Sequence, residues 1–426
     1  MLNRTLAPII KDPIEFDLQL PPCEKWRLKN NIPVYAVNAG ERDVIMVEWV
    51  FEAGNWFEQK NLIASTTNAL LKNGTHDKSA FELSDYFEYY GAYVNRSCYN
   101  ETATITLHCL TKHLPELLPV IAEMLTGSVF HQEELDTYRQ NQKQKLQVSL
   151  LKCEYVASQL LDELLYGKNH PYGKQPHAKD YDNLNRDEII SFYNQYYING
   201  NCKIFTAGKL PENLLELLNK EFGSLPLNVS QSNIEPQLKE TATQKKYNII
   251  NDSNGVQAAI RLARPFPNRH HPDFQKVQIL NNVLGGYFGS RLMSNIREDK
   301  GYTYGIYSYL QNHILESAWV ISTEVGKEVA EAALEEIYKE MKLLREGFIL
   351  PDELLLVKNY MMGLMLGNLD GPFQIIARWK NYILNGVDEN YFNNAIHTIK
   401  NVTPLELDEM ANKYLQPEAF FEVVVV

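Results

Sequence analysis

Nowhere does this chain run to the ~20 consecutive apolar residues that a bilayer-crossing helix needs, so no membrane span is expected. Cysteine is scarce: Cys23, Cys98, Cys109, Cys153 and Cys202 lie far apart, with no C-x-x-C spacing. That scatter excludes a disulfide framework and points to free thiols in a reducing compartment. Positive charge is also in deficit, with 41 Lys and Arg against 53 Asp and Glu and a formal charge of −12. A polyanion would be repelled, and "QKQKLQ" and "QKK" are too short to make a basic patch, so nucleic acid is not an expected partner. No G-x-G-x-x-G opens a helix after the first strand-like run, and no P-loop or G-x-S-x-G occurs. Nucleotide binding and serine-hydrolase chemistry therefore have no motif. "MLNRTLAPIIKDPIEF" lacks the apolar core of a leader peptide, and the expected location is the cytoplasm.

What is present is a large globular chain. Its 426 residues, 45% hydrophobic and 22% charged, are too many for one ordinary core and call for two domains. "PLNVSQSNIEPQLKETATQK", residues 226–245, has linker composition. The expected division is an N-terminal domain over 1–225, that linker, and a C-terminal domain over 246–426.

The two halves repeat one pattern. "VIMVEWVFEAG" and "VQAAIRLARPF" read as strands, followed by the helical "LIASTTNALLKNG" and "FQKVQILNNVLGG". Each half then has a glycine, Gly91 or Gly301, ahead of two alternating strand-like runs and an amphipathic helix. "NCKIFTAGKL" in the first half and "FFEVVVV" in the second supply further strands. Strands in hairpins with helices between and after them predict an α+β fold. Two duplicated domains are expected, each a mostly antiparallel sheet packed with helices.

The helix "NLIASTTNALLKNGT" is chemically bland. Its apolar residues fall near helical spacing and Gly74 stops it, but Ser65, Thr66, Thr67 and Asn68 include no strong acid, base or metal ligand.

Four ordered motifs resemble the pitrilysin-type zinc peptidases, the inverted-zincin group that includes insulysin and the mitochondrial processing peptidase. They are "FEAGNWFE", "GAYVNRSCYNETATI", the run from "LLYGKNHPYG" to "FYNQYY", and "GSRLMSNIREDKGYTYGIYS". The resemblance covers nearly the whole chain and implies two such domains arranged as half of a clamshell. Active members carry H-x-x-E-H on the first-domain helix, with two imidazoles holding zinc and a glutamate activating the metal-bound water. Counted back from Gly74-Thr75, those positions fall on Ser65, Asn68 and Ala69, and the distal glutamate ligand falls near Gln147. All four are replaced, and serine, amide and alanine side chains do not rebuild a zinc site. His108 with His113, and His270 with His271, are not spaced to substitute. No metal and no catalytic group is expected in this chain.

The second-half motif keeps Arg297 and Tyr304 in "REDKGYTY". In active relatives an Arg and a Tyr at this spacing contact substrate and help stabilise the oxyanion. A guanidinium and a phenol are suitable donors for that oxygen. The bland alternative pairs Arg297 with Glu298 or Asp299 and makes Tyr304 one strand aromatic among many. The resemblance also covers the strand "GAYVNRSCYN", which in relatives accepts substrate by edge pairing. Asn95 matches there, but Arg96 stands where a small residue is usual, and an ordinary sheet strand is the better reading.

Some members are heterodimers in which one subunit carries H-x-x-E-H and the other the Arg/Tyr pair. The resemblance implies that this chain is the second kind. Zinc and the general base would reside in a homologous partner, and the substrate would be a peptide or unfolded protein. A homodimer is expected as a possible form of the isolated chain. The alternative is a non-proteolytic peptide-binding or scaffold protein of the same fold.

Overall fold

The computed structural model describes residues 11–228, 234, 236–347 and 349–426. Six residues of the expected linker, 229–233 and 235, therefore lie outside the described residues, as do the first ten residues of "MLNRTLAPIIKDPIEF". The described remainder of the linker is tied down. The Glu240 and Ala242 N–H groups donate to the Tyr166 and Leu164 carbonyls at 3.1 and 3.0 Å.

The chain divides into two compact units. One comprises Pro22–Thr243 with Gly371–Asn381; the other comprises residues 11–21, Gln244–Asp370 and Tyr382–Val426. The first unit holds strands β1 (Glu24–Arg27), β2 (Pro33–Asn38), β3 (Val44–Phe51), β4 (Tyr93–Cys98), β5 (Ala103–Leu110) and β6 (Cys202–Gly208). The second holds β7 (Lys246–Ile249), β8 (Gln257–Phe266), β9 (Ile306–Asn312), β10 (Ser317–Gly326) and β11 (Phe421–Val425).

The sheet orders are β1-β2-β6-β3-β5-β4 and β7-β11-β8-β10-β9. With the added β1 set aside, they are the same permutation. Each contains one parallel pair, β2 with β6 and β7 with β11, and every other pairing is antiparallel. The duplicated α+β architecture is thus present down to strand order. Gly91 and Gly301 occupy matching places just ahead of the edge strands β4 and β9, both left-handed, with φ of 60° and 66°. Only glycine takes that conformation without steric cost.

In the first unit Ile45, Val47, Trp49 and Phe51 alternate along β3 toward a core shared with the helices Ile63–Leu70, Leu114–Gly127 and Leu214–Phe222. The opposite face of β3 carries the buried Glu48. The Lys380 ammonium donates to both of its oxygens at 2.9 and 2.7 Å, and the Thr106 hydroxyl donates at 3.1 Å. Phe373 meets the His108 ring edge-on at 5.7 Å. These contacts explain why a short piece of late sequence belongs to the first unit. In the second unit Ile14 N–H bonds Asn359 at 3.4 Å, and the Lys400 ammonium bonds the Phe16 carbonyl at 2.8 Å, which holds residues 11–21 there.

Candidate functional site

The helix Ile63–Leu70 begins on a buried carboxylate. Glu58 accepts the Ala64 N–H at 3.0 Å and the Leu62 N–H at 3.3 Å, with the Lys174 ammonium at 3.4 Å. A carboxylate at a helix N-terminus satisfies orphan donors and complements the dipole. Burial pushes the Glu58 carboxyl above its ordinary range, against the lowering pull of Lys174 and these hydrogen bonds.

Along the helix, the positions expected to be degenerate have two fates. Asn68 is buried; its amide donates to the Thr104 carbonyl at 3.3 Å and to the Tyr197 hydroxyl at 3.1 Å. It is a satisfied core amide riveting helix to sheet. Ser65 and Ala69 lie on the half-exposed face, and Lys72 follows one turn on. The Ser65 hydroxyl bonds back to the Leu62 carbonyl at 3.2 Å. Gln147 is exposed near the end of the helix Gln132–Leu150.

Arg96 of β4 reaches over this helix and donates from Nη1 to the Ala69 carbonyl, at the position of the family's second imidazole. Its Nε is buried without a hydrogen-bond partner. Burial lowers the pKa of both Arg96 and Lys72, and Arg96 lowers Lys72 further. The face where a metal would be held is therefore cationic. A zinc ion there would meet one alcohol, no imidazole or carboxylate, and a guanidinium, so these residues do not fit zinc. No group of three or more His, Cys, Asp or Glu able to hold a metal occurs among the described residues. The paired histidines are dispersed as well. His108 is on β5 and His113 in the turn Thr111–His113, its ring tilted against Tyr90 with centroids 5.1 Å apart.

The second unit does bring Arg297 and Tyr304 together. Arg297 lies on the widened helical turn Met293–Asp299, and such π-type turns recur at functional sites. Its Nε donates to the Tyr304 carbonyl at 3.1 Å. Its guanidinium carbon stands 4.6 Å from the Phe288 ring centroid, and Nη1 is 3.5 Å from Glu298. That ion pair is half-exposed and contributes little. The Thr303 hydroxyl donates to the Glu324 carbonyl at 2.6 Å and accepts the Gly305 N–H at 3.0 Å, fixing the chain on both sides of Tyr304. The Tyr304 residue itself is 98% exposed. This arrangement can present one oriented guanidinium and one open phenol to a ligand's oxygen.

Three contributors escape a reading of the sequence. Glu58 had a signal in "FEAGNWFE". Phe288 had none beyond its place in a glycine-rich run. The direction of Arg96 depends on the helix beneath it.

A family model described as Insulinase (Peptidase family M16) matches residues 35–173, and one described as Peptidase M16 inactive domain matches 183–361. A Bacillus subtilis protein named uncharacterized zinc protease YmxG is 27% identical over 332 residues, covering 76% of this chain and 79% of that one. A Helicobacter pylori protein named non-peptidase homolog YmxG is 21% identical over 377 residues, covering 87% and 86%. Among solved structures, a peptidase M16 inactive domain from Pseudomonas fluorescens superposes with a TM-score of 0.84 at 22% identity, covering 95% of this chain and 98% of that one. No helix among the described residues is long and apolar enough to cross a membrane. With both halves matched, the chain belongs to the insulinase- and pitrilysin-like M16 family, and it carries that fold without the H-x-x-E-H residues.

Proposed function

We propose that this chain is the non-catalytic subunit of a two-chain zinc peptidase. It contributes Arg297 and Tyr304 to a homologous partner that carries H-x-x-E-H and the zinc. The observation that carries this reading is the contrast around Tyr304. The backbone is pinned by Thr303 and Arg297, while the residue as a whole is 98% exposed. A large aromatic held open on a fixed backbone stabilises nothing within its own unit, but it suits a donor awaiting a ligand. The substrate class is an extended peptide or unfolded protein, and the setting is a reducing compartment, in keeping with five free cysteines.

A second reading is a peptide-binding or scaffold protein without proteolytic work. It would need neither a partner's zinc nor Arg297 and Tyr304, and the Arg96 guanidinium at the Ala69 carbonyl, where active relatives hold metal, fits either reading. The test is peptide hydrolysis by this chain, by an H-x-x-E-H-bearing homologue from the same source, and by their equimolar mixture with zinc. Cleavage by the mixture alone, lost on Arg297→Ala or Tyr304→Phe, supports the divided site. Equal cleavage by the homologue alone, or no cleavage by any sample, supports the second reading.

A further inference from the structure

A hollow of about 140 Å³ lies on the first unit, where residues 57–60, the helix Ile63–Leu70 and the helix Arg186–Tyr193 meet. The buried part of its lining is apolar. Ile63 and Phe192 are buried, and Phe57 and Tyr196 are half-buried beside them. Tyr196 stands on the widened turn Asn194–Ile198 that continues the second helix, a kind of turn that recurs at functional sites. Its ring centroid is 4.5 Å from that of Phe192 and 5.5 Å from that of Phe57, both tilted pairs. An apolar cavity of roughly 150 Å³ is enough to take up benzene. The hollow therefore has the size of one six-membered aromatic ring, and its walls are rings set at the tilted angles that aromatic packing favours.

The exposed part of the lining carries both signs of charge. The Lys60 ammonium stands 2.8 Å from a Glu188 carboxylate oxygen, with the two side chains 40% and 45% exposed. A pair so exposed contributes little to the fold, so both groups can turn toward a ligand at small cost. A free aromatic amino acid matches every part of this lining. Its ring suits the hollow, its ammonium suits Glu188 and its carboxylate suits Lys60. An aromatic side chain inside a peptide brings the ring alone, and an aliphatic amino acid brings the charges alone.

We propose that this hollow binds a free aromatic α-amino acid, with its ring against Phe57, Phe192 and Tyr196, its ammonium on Glu188 and its carboxylate on Lys60. The four charges then alternate in sign, and each keeps an opposite charge beside it. Removing the ring from water supplies the affinity. The charge pair supplies the selection of a free amino acid over a peptide segment. The site uses neither Arg297 nor Tyr304 nor a metal, so it stands or falls apart from the divided-site reading.

The experiment is isothermal titration calorimetry of the full chain at low salt with four ligands. They are L-phenylalanine; L-phenylalaninamide, which keeps ring and ammonium; N-acetyl-L-phenylalanine, which keeps ring and carboxylate; and L-alanine, which keeps both charges without the ring. L-phenylalanine is expected to bind roughly tenfold more tightly than each of the others, and its lead over the two singly charged forms should shrink at high salt. Glu188→Gln and Lys60→Gln should each weaken L-phenylalanine about fivefold and leave the thermal midpoint unchanged, because the pair is half-exposed. Ser191→Phe puts a ring into the hollow from an exposed helix position and should abolish binding. The proposal is overturned if L-phenylalanine does not bind, if any other ligand binds as tightly, if both charge variants bind it unchanged, or if binding survives Ser191→Phe.

Discussion

The two units share a strand permutation and differ in what they do with the same places. In the first, the helix after the first core strand sends Asn68 into the sheet, to the Thr104 carbonyl on β5. In the second, the helix Phe274–Asn281 sends Asn281 to the Ser308 carbonyl on β9 at 3.0 Å, with the Ser308 hydroxyl returning a bond at 2.7 Å. Both amides are buried and satisfied, and each fastens its helix to the neighbouring hairpin. The divergence lies outside that rivet. On β4 and just past the helix Ile63–Leu70 the half-buried features are two cations, Arg96 and Lys72, without metal ligands; ahead of β9 they are an oriented guanidinium and an open phenol. Both interiors keep a satisfied helix-to-sheet amide, although Asn68 reaches β5 and Asn281 reaches β9, the counterpart of β4, while the solvent-facing chemistry differs freely, because interior polar groups lose stability when unpaired and exposed ones do not.

The largest effect should come from breaking the rivets. Asn68→Glu restores the residue type that the family's active helix carries there. In this chain it would bury a carboxylate facing the Thr104 carbonyl. A loss of about 3–5 kcal/mol is expected in urea unfolding, with a comparable loss for Asn281→Glu. A loss under about 1 kcal/mol would mean that the Asn68 pocket is wet and open, and the comparison would fail.

Next in size are the paired glycines. An added Cβ at Gly91 or Gly301 meets no atom within 4 Å, so substitution reports backbone strain alone. Gly91→Ala and Gly301→Ala should each cost about 1–2 kcal/mol and match one another in thermal melts. Unequal costs would show that the two turns only look alike.

A smaller effect separates the units by pH. Burial raises the Glu58 carboxyl in the fold, so on acidification the folded chain takes up this proton before the unfolded chain does. This group therefore makes stability fall as pH rises from the ordinary carboxylate range through the raised one, and leaves it flat above. Glu58→Gln should remove that limb from a plot of unfolding free energy against pH. An unchanged slope would assign the limb to other carboxyls.

The smallest effect belongs to Tyr304. With its ring almost fully exposed, Tyr304→Phe should change stability by less than about 0.5 kcal/mol. Any loss of activity in a partnered assay would then report function and not folding.

Much of this was legible in the chain itself. Alternating Ile45, Val47, Trp49 and Phe51 announce a half-buried strand, and the repeated helix, glycine and hairpin pattern announces two copies of one unit. The replacement of the H-x-x-E-H residues was also legible, since it rests on side-chain type at Ser65, Asn68 and Ala69. Less so was the exchange of short segments between the halves. Residues 371–381 interrupt the second unit's sequence but are held by Glu48 and His108 of the first. Nothing local in "GPFQIIARWKN" marks that, because an amphipathic helix does not name the sheet it covers.

The sequence by itself determined the duplicated architecture, the glycines Gly91 and Gly301 ahead of the matching hairpins, and the replacement of the H-x-x-E-H residues at Ser65, Asn68 and Ala69. Each follows from residue type and local spacing. Only the tertiary structure decided that Asn68 is a rivet and not a vestige, that Arg96 lies across the Ala69 carbonyl, and that Arg297 holds the backbone of Tyr304. Those outcomes depend on contacts between segments distant along the chain or turned toward each other by packing. A side chain's direction there is set by the surface it meets, not by its neighbours in sequence.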